Sequence, residues 1–87
     1  MYVLGVYDIN VKRVAKVKKI FSRYMFWMQN STFEGNLTKV QLRELQRELN
    51  SVVNPNEDHI IFYVIRNEDV VTKTIIGERH SEPSNIL

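Results

Sequence analysis

The sequence predicts an α+β fold, a ferredoxin-like βαββαβ sandwich with an extra C-terminal strand, on three observations. Apolar runs rich in β-branched and aromatic residues alternate with two stretches of helical period. Their order along the chain is strand, helix, strand, helix, strand. At 87 residues the chain has room for one small domain and one sheet. Right-handed crossovers then put both helices on the same face of that sheet.

Residues 2–8, "YVLGVYD", read as a strand that ends at Asp8. From Val11 the period changes. Val14, Val17, Phe21 and Tyr24 recur at spacings of 3, 4 and 3, and Lys12, Lys16, Lys19 and Arg23 at 4, 3 and 4. At about 100° per residue the two stripes point roughly 150° apart, so the basic one faces solvent. Residues 26–34, "FWMQNSTFE", have strand character and enough length to bend or split in two. Thr38, three residues ahead of Gln41, fits a capping box that opens a second helix with Leu42, Leu45, Leu49 and Val52 as its apolar stripe. "NPNED" at 54–58 is a turn, "HIIFYVI" at 59–65 a strand, and "TKTIIG" at 72–77 a weaker last strand. The domain is expected to close at residue 79, leaving "HSEPSNIL", 80–87, as a mobile tail.

The first strand is apolar on both parities, Tyr2, Leu4 and Val6 against Val3 and Tyr7, and so is the strand at 59–65. A sheet solvated on one side should alternate apolar with polar. With no third helix to cover the second face, a homodimer packed through the sheets is the expected cover. The plainer alternative is that short central strands are simply apolar.

Composition excludes several chemistries. There is no cysteine, which removes disulfides, thiolate zinc sites and cysteine nucleophiles, and suits a reducing cytoplasm. "MYVLGVYD" turns polar too soon for a signal peptide or membrane span, so a soluble cytoplasmic protein is expected. His59 and His80 lie 21 positions apart without metal-ligand spacing, and neither a Gly-rich phosphate loop nor a serine nucleophile elbow is present.

The charges are unevenly spread. Between Ile9 and Phe33 there are six Lys or Arg and no Asp or Glu, whereas from Glu44 onward eight acids face four bases. An ordinary exposed helix mixes signs, as Arg43, Glu44, Arg47 and Glu48 do in the second one. The basic row on the first helix therefore reads as a phosphate-gripping surface, doubled in a dimer, that would bind nucleic acid without reading bases. The acidic C-terminal half suits a basic protein partner.

"VYDI" at 6–9, the basic pattern at 12–19, "RY" at 23–24, "MQNSTFEGNLT" at 28–38 and "DHIIFYVI" at 58–65 together resemble the CRISPR-associated Cas-two family. The resemblance covers roughly residues 1–66. It implies a ferredoxin-like homodimer, an endonuclease activity on RNA or DNA associated with Mg2+, and a complex with a Cas-one-type integrase that captures double-stranded DNA in spacer acquisition. It puts the catalytic and metal-holding role on Asp8, preceded by Tyr7, the nucleic-acid contacts on Lys12, Arg13, Lys16, Lys19 and Arg23, and the family's turn motif on Ser31 and Phe33. Met25 and Trp27 stand where the family often has a glycine and a base.

On residue type alone, Asp8 serves equally as a metal ligand or as a helix-entry residue sharing the cap with Asn10. Tyr7 belongs to packing more than to catalysis. Trp27 and Phe33 could stack on bases, but large aromatics in such a strand are more often core or dimer contacts. A toxin-like ribonuclease or a non-catalytic ferredoxin-like nucleic-acid-binding module is the alternative reading.

Overall fold

The computed structural model describes residues 1–78. In order, its elements are β1 (Tyr2–Asp8), α1 (Val11–Ser22), β2 (Phe26–Gln29), β3 (Thr32–Asn36), α2 (Lys39–Asn50) and β4 (His59–Ile65), followed by a 3-10 turn at Glu68–Val70. The strands form one antiparallel sheet in the order β2-β3-β1-β4. Each helix thus crosses over a strand that lies between the two it joins, as the ferredoxin-like arrangement requires. The segment at 26–34 does split, at a turn where Asn30 takes a positive φ of 46°, a conformation that asparagine tolerates better than most residues.

Both helices start where the sequence places them. The Asn10 side chain accepts from the Lys12 amide at 3.0 Å. Thr38 and Gln41 exchange side-chain and backbone hydrogen bonds at 3.1 and 2.9 Å, which completes the capping box. Val17, Ile20 and Phe21 of α1 and Leu45 and Leu49 of α2 turn inward.

They pack on the face that carries Val3, Gly5 and Tyr7 of β1, with Phe33 from β3 and Phe62 from β4 beside them. Phe21 is the centre of this core, with ring centroids 4.9 Å from Phe33, 5.5 Å from Tyr7 and 5.9 Å from Phe62. Gly5 makes that stack possible. A Cβ there would lie 2.6 Å from the Phe21 ring, closer than two carbons can come.

The opposite face carries Tyr2, Leu4, Val6, Glu34, Ile61 and Tyr63. The expected last strand at 72–77 is not formed within the chain, where the stretch lies outside the sheet. Lys73 reaches Glu34 at 2.5 Å, and Glu34 belongs to β3, an inner strand. That contact holds the segment over the sheet instead of along an edge where it could add hydrogen bonds. The tail expected at 80–87 lies outside the described residues.

Candidate nucleic-acid interface and carboxylate site

Helix α1 begins against its own electrostatics. No acid stands in its first turn, where the helix dipole favours one, and Lys12 and Arg13 stand there instead. The structure separates the five cations that the sequence singles out. Arg13 donates through Nε to Asp58 at 2.6 Å and through Nη2 to Glu57 at 2.6 Å. Arg23, just past the helix end, pairs with Glu48 of α2. Lys12, Lys16 and Lys19 are exposed and make no ion pair among the described residues. The open part of the basic row is therefore three lysines on one helical face.

Asp58 explains why Arg13 is engaged. Its buried carboxylate accepts from the amides of Asn10 and Asn54, both at 2.8 Å, as well as from Arg13. It ties the entry of α1 to the turn between α2 and β4. Arg13 and the two amides hold the Asp58 carboxyl well below the usual carboxylate range, and the same pairing raises Arg13.

Asp8 stands at the end of β1, exposed. Helix entry is not its role, because Asn10 holds the cap. No hydrogen bond or ion pair engages its side chain among the described residues. Directly opposite it in the β1–β4 ladder is His59. Side chains directly opposed across an antiparallel pair share a face with Cβ atoms about 5 Å apart. A single histidine on the sequence thus becomes the neighbour of the candidate carboxylate.

Tyr7 does not join them. Consecutive strand residues point to opposite faces, and Tyr7 turns to the helices, 5% exposed and stacked on Phe21. Burial raises its phenol pKa. Phe33 is likewise a core residue, and Ser31 serves the turn, its carbonyl accepting from the Tyr7 amide at 3.0 Å. Trp27 packs against the core edge, donates its indole N–H to the Asn30 carbonyl at 2.8 Å and carries the Lys18 ammonium 5.6 Å from its ring centroid.

Asp8 lies on the helix-free side of the sheet, while the lysine row lies on the outer side of the helix layer. The fold thus parts the basic row from the carboxylate. Among the described residues no three His, Asp or Glu side chains gather to hold a metal. One chain therefore offers a single carboxylate and an imidazole beside it. That is enough for a hydrated magnesium ion only if a second carboxylate or phosphate oxygens complete it.

Sequence reasoning missed His59, Asp58, Glu48 and Glu34. The signal for His59 was available: two seven-residue strands paired end to end set the last residue of one against the first of the other. Glu34 sits in the helix-free face, 6% exposed, accepting from the Tyr2 hydroxyl at 2.7 Å. Burial and that carboxylate push the Tyr2 phenol up to about 12.

The family described as "CRISPR associated protein Cas2" matches residues 1–73. The chain is 40% identical over 87 residues to the CRISPR-associated endoribonuclease Cas2 of Methanosarcina acetivorans, covering 100% of both. A crystal structure of Cas2 with 40% sequence identity superposes with a TM-score of 0.81 over 94% of this chain and 92% of that one. The Streptococcus pyogenes Cas2 crystal structure at pH 6.5, 29% identical, gives 0.72 over 86% and 99%. Among the described residues no helix is long and apolar enough to cross a membrane.

Proposed function

The chain belongs to the CRISPR-associated Cas2 family, and from that premise we propose that it is a spacer-acquisition subunit that grips duplex DNA as a homodimer beside a Cas-one-type integrase. The observation that carries this reading is the row of Lys12, Lys16 and Lys19, exposed and without acidic partners among the described residues, on a helix whose first turn would otherwise favour acids. Such a row contacts phosphates without contacting bases, so binding is independent of sequence and sensitive to salt. The homodimer forms through the helix-free sheet face, where Ile61 and Tyr63 remain 38% and 54% exposed. Two copies then carry one lysine row each on the outside.

Reversing the three lysines to glutamate tests it. Duplex affinity at low salt should fall more than a hundredfold, and the log–log salt slope should flatten by about three, at about 0.9 per phosphate contact. Thermal stability should move little, since the row faces away from the core. Wild-type affinity in the triple variant removes the row from the function.

A second activity rests on Asp8, exposed, relieved of capping and beside His59. We infer that it supports phosphodiester cleavage with Mg2+, on RNA if the relatives' naming as endoribonucleases carries over. Bound at paired Asp8 carboxylates, the ion would stabilise charge on the phosphate oxygens. The chain's own part is to keep Asp8 at the sheet's end, open to solvent and facing its twin across the dimer axis. Asp8→Asn should abolish magnesium-dependent cleavage and leave duplex affinity within twofold; cleavage at the wild-type rate would move the activity elsewhere.

A further inference from the structure

Between α1 and α2 lies an open cleft of about 350 Å³ lined by Lys16, Lys19, Arg23, Glu48 and Ser51 over an apolar floor of Ile20 and Val52. Three cations and a hydroxyl thus surround a single carboxylate. Glu48 is fully occupied by protein: one oxygen takes the Arg23 guanidinium and the other the Tyr24 hydroxyl. That bond to Glu48 is the leading cause of the raised Tyr24 pKa. Arg23 is about half exposed, so its far side is open to the cleft.

A carboxylate and a phosphodiester present oxygens to the same planar guanidinium fork. Glu48 therefore occupies on Arg23 the place that a phosphate lying between Lys16 and Lys19 would take. An exposed ion pair of this kind is weak, so an incoming phosphate can displace it but binds less tightly for having to do so.

We propose that the α1–α2 cleft is a backbone-phosphate subsite and that Glu48 is its built-in competitor, holding Arg23 in reserve and keeping the grip on nucleic acid reversible. The proposal rests on the duplex-binding reading and assigns Arg23 a conditional role within it. Glu48→Gln keeps a side-chain oxygen for the Tyr24 hydroxyl while removing the charge that retains Arg23.

The test is fluorescence anisotropy of a labelled duplex with full-length wild type, Glu48→Gln, Arg23→Gln, the double variant and the triple lysine reversal, over a range of salt. Glu48→Gln should bind about three- to tenfold tighter, with a salt slope steeper by about 0.9, the value of one added phosphate contact. Arg23→Gln alone should weaken binding, because it removes a phosphate contact and leaves Glu48 uncompensated in the cleft, and the double variant should bind no tighter than wild type. A gain that survives without Arg23, or no gain at all, overturns the competitor. If the triple reversal also binds like wild type, it is the duplex-binding reading that has failed; if that variant loses binding and Glu48→Gln gains none, only the subsite has. Should Glu48→Gln fold poorly, the Arg23 Nε–Hε resonance of the wild-type protein answers instead: it should shift when duplex is added, and an unmoved resonance overturns the proposal.

Discussion

On the helix-covered face of the sheet Val3 is fully buried under the equally buried Phe21 of α1, Phe33 is 1% exposed, and Tyr7, Ile60 and Phe62 pack into the same core. Across the same strands, one residue along in register, Tyr63 is 54% exposed, Glu34 is buried with a lysine and a tyrosine, and Asp8 and His59 stand together at the sheet's end. The first face is closed by the chain's own two helices. The second holds Asp8, which has no partner among the described residues, and most of the exposed apolar strand surface. The two helices close one side of the sheet, and on the other the segment after β4 reaches Glu34 through Lys73.

The steepest test of that contrast is Phe21→Ala. It removes the ring on which Tyr7, Phe33 and Phe62 converge, and a buried phenylalanine truncation costs about 3–5 kcal/mol. Urea unfolding should show it, and a loss under about 1 kcal/mol would mean that the helix-covered face is not organised around this ring. On the other face, Ile61→Asp should leave circular dichroism native and halve the sedimenting mass. Val64→Asp separates the faces further: Val64 lies opposite Val3 on the helix side, near Leu42 and Arg43, so its effect should be on melting and not on assembly. A wild-type chain that sediments as a stable monomer ends the dimer argument.

Asp58→Asn is a smaller perturbation of the helix side. It should lower Tm by roughly 5 °C at neutral pH, since Arg13 keeps Glu57 but loses the carboxylate that also takes the Asn10 and Asn54 amides. The pH dependence follows from the sign of the shift. The folded Asp58 pKa is depressed, so its contribution is complete above the ordinary aspartate pKa of about 3.9 and is lost as pH falls toward the folded value. Melting curves between pH 5 and pH 2 should therefore decline more steeply in wild type than in Asp58→Asn; parallel curves would show that Asp58 is not the acid-sensitive group. Asp8→Asn should be the mildest for folding, within about 0.5 kcal/mol, because its side chain makes no hydrogen bond or ion pair among the described residues.

The elements were legible because each rests on local rules: the Thr38–Gln41 box, the period of Val14, Val17 and Phe21, and the β-branched run at 59–65. The strand parities were legible for the same reason. The site was legible only as far as single residues. That Lys12, Lys16 and Lys19 share an open face follows from helical period, but that Arg13 and Arg23 are held by Asp58 and Glu48 depends on contacts across 45 and 25 residues. Nothing local encodes such distances. The segment after β4 satisfies strand propensity with its β-branched residues, but a strand also needs a backbone partner, and within the chain the sheet offers it none.

Gly5 has a consequence for length scale. By admitting the Phe21 ring against bare backbone, it brings α1 as near the sheet as an aromatic layer allows. In a sheet-to-sheet pair the distance between the two outer lysine rows is the sum of both molecular thicknesses, and each thickness is fixed at this glycine. A methyl group there would lift α1 in both copies at once. The span between the rows would widen without altering any charge, so one buried position sets a dimension of the outer surface.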